Sequence, residues 1–203
     1  PCWSAVLAGR IYDEILSLKK QYPEKPVYAV IDDIGASGGY YIAIAADEIY
    51  ANRASLVGSI GVIASSFGFV DVMEKIGVER RTFTAGENKN FMDPFSPLPA
   101  GAKIFWDDIL GQIHQQFIVR VKENRGDKLS SNPDLFNGLV WSGEQAVSLG
   151  LIDGLSSVET LARRFDPSGT IIDYSPTEDV FKRLSSRLST QIKDMLYSFT
   201  LQY

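Results

Sequence analysis

Apolar positions in the first third of the chain switch between two periods. Leu7, Ile11, Ile15 and Leu16 recur at helical spacing, predicting a helix over residues 8–20 that closes on the cations Lys19 and Lys20. Pro23 and Pro26 punctuate a turn, and residues 27–31 form a short apolar run of the kind that makes a buried parallel strand. The small-residue string Gly35-Ala36-Ser37-Gly38-Gly39 follows, and residues 40–46 read as a helix. Residues 49–51 and 60–64 predict two more strands, residues 69–76 a helix stopped by Gly77, and residues 80–84 a further strand. Residues 86–99 form a loop rich in Gly, Asn and Pro.

Beyond that loop the helical period returns. Ile109, Ile113, Phe117 and Val121 stand four apart in a long amphipathic helix over residues 102–125. Ser142 with Gln145 makes a capping box for another helix, which ends at Gly150 and leads into Leu151-Ile152-Asp153. Strands alternating with helices imply an α/β fold with crossover connections. The alternation fades after Pro167. Residues 179–202 predict one more amphipathic helix, with Phe181, Leu184, Leu188, Ile192, Met195 and Phe199 on its apolar stripe. That stripe either packs on the body or a neighbouring subunit, or docks on a membrane surface. The organisation expected is a domain over residues 1–165 and a helical C-terminal extension over residues 166–203.

Composition narrows the chemistry. A chain of 203 residues, 45% hydrophobic and 22% charged, suits one large soluble domain. A net charge of -5 gives no electrostatic footprint for nucleic acid. One cysteine and one histidine exclude an internal disulfide and make a Cys/His metal cluster implausible, and no cofactor is expected. No stretch approaches the roughly 18 apolar residues of a membrane span. The start, Pro1-Cys2-Trp3-Ser4, is no signal peptide and runs almost at once into a helix. The expectation is therefore a fragment of a longer protein, with any anchor upstream.

Two residues stand out. Ser37 lies where a strand gives way to a helix, and unpaired N–H groups at a helix start suit an oxygen nucleophile beside a developing oxyanion. Gly38 and Gly39 leave the backbone open to substrate. The same string equally describes a tight strand–helix connection of small residues. His114, among Gln112, Gln115 and Gln116, reads as a solvated surface group, which disfavours a Ser-His-Asp arrangement. A lysine serves as base where burial favours its neutral form. Lys89 sits among Phe91, Met92 and Phe95, apolar neighbours able to desolvate an ammonium, whereas most other cations lie on helix faces or in charged surroundings.

Several motifs then occur in order. Ala36-Ser37-Gly38-Gly39-Tyr40-Tyr41, Ala45-Ala46-Asp47, Val57-Gly58-Ser59-Ile60-Gly61-Val62, the Lys89-Asn90-Phe91-Met92-Asp93-Pro94-Phe95 loop and Trp141-Ser142-Gly143-Glu144-Gln145-Ala146 resemble the signal peptide peptidase A and SohB family of bacterial serine proteases. The resemblance covers roughly residues 1–165. It implies a crotonase/Clp-protease-like spiral of ββα units, with Ser37 as nucleophile and Lys89 as general base. Ser59 would orient the lysine amine, and the Gly38 N–H would serve the oxyanion hole. It further implies peptide substrates such as residual signal peptides, a homo-oligomer with sites at subunit contacts, and the outer side of the bacterial inner membrane, reached through an N-terminal segment outside this chain. One departure is plain. The family usually has Pro-Gly-Gly where this chain has Pro1-Cys2-Trp3, adding bulk where substrate backbone approaches. That departure keeps a non-catalytic scaffold of the same fold as an alternative. A crotonase-type acyl-CoA enzyme is a further alternative, but it leaves the joint occurrence of Ser37, Ser59 and Lys89 unexplained.

Overall fold

A computed structural model describes residues 4–175. The expectations for Cys2, Trp3 and the helix over residues 179–202 lie outside the described residues. The chain divides into two compact units, Pro1–Leu161 and Ala162–Tyr203. Within the described part of the second unit, the end of a helix is followed by a turn at Gly169, and Asp166 accepts hydrogen bonds from the Ser168 backbone N–H and hydroxyl.

The first unit is built from strands that alternate between two sheets. The helix α1 (Ala5–Gln21) leads into β1 (Tyr28–Ile31), β2 (Ile34–Ala36) and α2 (Gly38–Ala43). Next come β3 (Glu48–Ala51), β4 (Leu56–Gly58) and α3 (Val70–Lys75), then the long α4 (Ala102–Arg125), two short 3₁₀ turns, β5 (Val140–Ser142), α5 (Gly143–Ser148), β6 (Gly154–Leu155) and α6 (Val158–Phe165). One sheet has the order β1-β3-β6, all parallel. The other has the order β2-β4-β5, with β2 and β4 parallel and β5 antiparallel. Each of the units β1-β2-α2 and β3-β4-α3 thus gives its first strand to one sheet and its second to the other. This repetition of ββα units is the α/β spiral expected from the sequence.

Local chemistry explains the connections. Ser55, only 2% exposed, donates to the Ile31 and Asp32 carbonyls at 2.9 and 2.6 Å and accepts from the Asn52 N–H. It ties the β3–β4 corner to the β1–β2 corner and so sets β4 beside β2. Gly143 passes the same corner so closely that a Cβ there would lie 2.1 Å from the Asn52 carbonyl oxygen. The Ser142–Gln145 capping box forms as expected, and Gly150 follows α5 at φ 74°.

The core lies between the sheets and helices α1, α2 and α4. Tyr12, Tyr40, Ile44, Ile49, Val57, Ile60, Val121, Leu135 and Leu151 are almost wholly buried. Tyr41 meets Tyr12 edge-on at 5.4 Å and Phe117 at 4.9 Å, joining α1, α2 and α4. Arg125 is buried with Asp153: its guanidinium donates to the carboxylate at 2.8 and 3.2 Å and to the Gly150 carbonyl at 2.9 Å.

Three expectations are corrected. Residues 60–64 form no strand; the strand there is β4, just before them. Residues 80–84 have no regular structure and are exposed; among the described residues no neighbouring strand takes up their backbone groups. Gly35 and Ala36, expected in the small-residue turn, belong with Ile34 to the strand β2.

Candidate active site

Ser37 is set at the C-terminal end of β2 and caps α2, with φ 54° and ψ -121°. A non-glycine residue in that region costs roughly 1–3 kcal/mol and persists only where the surroundings fix it. Here they do. The Ser37 N–H donates to the Gly58 carbonyl at 2.8 Å, and the Ser37 carbonyl accepts from the Tyr41 N–H at 2.9 Å. The side chain is left exposed on the turn. Gly38, Gly39 and Tyr40 open α2, where N–H groups have no carbonyl a turn earlier to bond. Tyr40 itself is an anchor. Burial pushes its phenol well above the usual range, and its hydroxyl donates to the Leu151 carbonyl at 2.7 Å.

Ser59 is brought alongside by strand register. Ala36 pairs with Gly58, so Ser37 and Ser59 are the next residues on two adjacent parallel strands. Ser59 also has positive φ, 51°. Its N–H donates to the Leu139 carbonyl at 2.7 Å, and its own carbonyl accepts from the Gly61 N–H at 2.9 Å. Gly58, at φ 100°, lies under Trp141: a Cβ on it would meet the indole Cδ1 at 3.0 Å. The Trp141 N–H is buried without a partner among the described residues.

The sequence around His114 predicts a solvated surface group. The structure instead half-buries it and sets its Nε2 at 2.9 Å from the Ile60 carbonyl oxygen, 54 residues away in sequence. A contact between a side chain and a distant backbone oxygen leaves no pattern in the sequence around His114.

Lys89 lies in the exposed loop that follows Gly86, its N–H donating to the Gly86 carbonyl at 3.2 Å. Among the described residues no hydrogen bond joins its amine to Ser37 Oγ. The loop is folded around Asp93. Ser96 Oγ, ahead of Arg80 and the Phe95 N–H, holds that carboxyl below its ordinary range. Arg80 donates to Asp93 at 2.8 Å and lies over the Phe95 ring, which stacks on Phe69. The Phe69 N–H in turn donates to the Pro94 carbonyl at 2.7 Å, tying the loop to the start of α3. The structure therefore brings Ser37, Gly38 and Ser59 together within one chain and holds Lys89 on a separately braced loop.

An open cleft of about 430 Å³ lies along β1, β2 and α2, lined by Val30, Asp32, Ile34, Gly39 and Ile42 among others, with Ser37 outside its lining. Among the described residues no group of three or more His, Cys, Asp or Glu side chains is placed to hold a metal ion. No described helix is long and apolar enough to cross a membrane.

Comparison with known proteins matches this arrangement to a family. The chain is 48% identical over 164 residues to a protein named Na(+)/H(+) antiporter NhaA from Brucella abortus, covering 81% of this chain and 22% of that protein. It is 35% identical over 145 residues to the serine protease SPPA, chloroplastic, of Arabidopsis thaliana, covering 69% of this chain and 21% of that one. It thus spans about a fifth of the length of each. Among solved structures, an enoyl-CoA hydratase/isomerase family member aligns with a TM-score of 0.40 at 20% identity, covering 80% of this chain and 42% of that one. The family model described as Peptidase family S49 matches residues 19–168, which include Ser37, Ser59 and Lys89. The chain belongs to peptidase family S49.

Proposed function

We propose that this chain is the catalytic part of a serine endopeptidase in which Ser37 is the nucleophile and Lys89 the general base. The observation that carries the reading is the backbone of Ser37: an exposed serine held at positive φ between a strand and the unpaired N–H groups of a helix start. In the proposed reaction the neutral Lys89 amine takes the proton from Ser37 Oγ as it attacks the substrate carbonyl carbon. The Gly38 N–H receives the developing oxyanion. The proton passes to the leaving amine nitrogen as the peptide bond breaks, and water then hydrolyses the acyl-enzyme. Ser59 Oγ, beside Ser37, accepts from the lysine amine and aims its lone pair.

The substrate is read as an extended peptide. β2 pairs with β4 on one side only, and its other edge is free among the described residues. Asp33 and Ser37 point their bonding groups at β4, so by strand alternation Ile34 and Ala36 turn theirs outward. A peptide beside that edge runs past Ser37. The proposed substrates are membrane-associated peptides such as residual signal peptides, met at the outer face of the bacterial inner membrane.

The lysine is proposed to come from a neighbouring copy of the chain. The region from Ile63 to Ile104 buries little: α3 has no buried residue, and Ile63, Phe67 and Phe83 are 82%, 79% and 94% exposed. Apolar surface on this scale suits an interface. A fluorophosphonate probe tests the reading as a whole. Covalent labelling of Ser37, lost in Ser37→Ala and slowed in Lys89→Ala, is expected; an unlabelled but folded oligomer favours the non-catalytic scaffold instead.

A further inference from the structure

Ser59 needs more support than its own turn supplies. At φ 51° it is strained, and its hydroxyl aims correctly only while the backbone holds. Three contacts hold it. The Leu139 carbonyl receives its N–H from one side, and the Ile60 side chain, fully buried, pins the next residue in the core. The third is His114, whose Nε2 lies 2.9 Å from the Ile60 carbonyl. A carbonyl oxygen only accepts, so Nε2 must carry the hydrogen. That bond persists in both the neutral and the protonated imidazole, since Nε2 donates in each.

We infer that His114 is a positioning residue of the peptidase site, acting from α4 through the Ile60 backbone to hold Ser59. This rests on the Ser37–Lys89 reading above and adds a residue to it. α4 is anchored independently by Phe117, Val121 and Arg125, all buried one to three turns further along. The imidazole is thus a strut from a fixed helix to the strained turn. Without it the Ile60 carbonyl loses its donor, the Ser59 turn relaxes, and the hydroxyl no longer steers the lysine amine. Displacements of about an ångström at such a group cost roughly a hundredfold in rate. Substrate lies along β2, away from this strut, so binding is spared.

The test compares three variants in the full-length oligomer. His114→Phe keeps a ring without a donor, and His114→Gln keeps an amide donor of matching reach. His114→Asn, polar but too short, replaces the Phe variant if that chain does not fold. We expect His114→Phe or His114→Asn to lower kcat roughly ten- to a hundredfold with KM within about twofold, and His114→Gln to recover most of kcat. Wild-type kcat in folded Phe and Asn variants overturns the inference. So does a Gln variant as slow as the Phe variant, since the donor is then irrelevant. Ser37→Ala, assayed alongside, separates the two readings: if it stays active the proposed nucleophile fails, whereas an inactive Ser37→Ala with an unaffected His114→Phe removes only the strut.

Discussion

Ser37 and Ser59 follow directly on the paired residues Ala36 and Gly58 of two parallel strands, and both take positive φ, 54° and 51°. The Ser37 N–H donates back to the Gly58 carbonyl, so each strained turn braces the other. Strain paired in this way costs stability and fixes the direction in which two hydroxyls leave the sheet.

Replacing Ser37 therefore separates chemistry from stability. Ser37→Ala is expected to abolish peptide hydrolysis with the fold intact, since one small exposed hydroxyl is lost. Ser37→Gly should be equally inactive yet more stable than Ser37→Ala by about 1 kcal/mol. Relief of roughly 1–3 kcal/mol of strain exceeds the extra chain entropy of glycine, about 0.5–1 kcal/mol. Denaturant unfolding of the two variants decides it, and equal midpoints would show that the turn is unstrained.

Gly58 tests the packing beneath the site. A Cβ there meets Trp141 Cδ1 at 3.0 Å and the Leu139 carbonyl at 3.2 Å, and φ is 100°. Gly58→Ala should destabilise by roughly 2–3 kcal/mol and reduce kcat, because the backbone shift it forces moves the Gly58 carbonyl that accepts the Ser37 N–H and the Leu139 carbonyl that accepts the Ser59 N–H. Thermal unfolding within a degree or so of wild type would show that the turn tolerates a side chain.

Much of this frame is legible in the sequence. Residues 102–125 form the expected helix because apolar residues four apart face one core, and the Ser142 capping box forms because both partners are local. Other features are set by distant partners. Ile34-Gly35-Ala36 carries one β-branched residue and becomes a strand only because β4 pairs with it. Residues 60–64 look like a strand, yet the chain turns at Ser59. Ser55 and His114 act through backbone carbonyls that are 23 and 24, and 54, residues away, contacts that no spacing rule displays.

Asp153 shows how a motif outside the site supports it. Burial raises the carboxyl, but donors from Arg125, Lys128 and the Ile49 N–H outweigh it and bring the group from 3.8 to about 2. A depressed folded value stabilises above the unfolded one, so the contribution is present above pH 3.8 and is lost as pH falls through about 2. It is on the order of 1–2 kcal/mol after allowance for solvent. At neutral pH Asp153→Asn should cost more, about 3 kcal/mol, because it leaves the buried Arg125 without its counter-charge. The difference in unfolding free energy between wild type and variant should narrow between about pH 5 and pH 2. A constant difference across that range would deny Asp153 this role.

The last prediction concerns where the base comes from. Lys89 sits on a loop braced by Asp93, Arg80 and Phe95, and no hydrogen bond joins its amine to Ser37 within the chain. A base must come within roughly 2.6–3.2 Å of the hydroxyl it deprotonates. A second copy presenting its loop to Ser37 would meet that requirement and cover the exposed Phe67 and Phe83. Lys89→Arg should be inactive, because a guanidinium does not give up its proton in proteins. Ser37→Ala and Lys89→Ala chains, each inactive alone, should regain activity when assembled together, at sites that combine an intact serine from one copy with an intact lysine from the other. Phe83→Asp should weaken both assembly and activity, with activity restored as protein concentration rises. Mixed oligomers of verified composition that stay inactive would place serine and lysine in the same subunit. Loop movement within one chain would then have to bring Lys89 to Ser37.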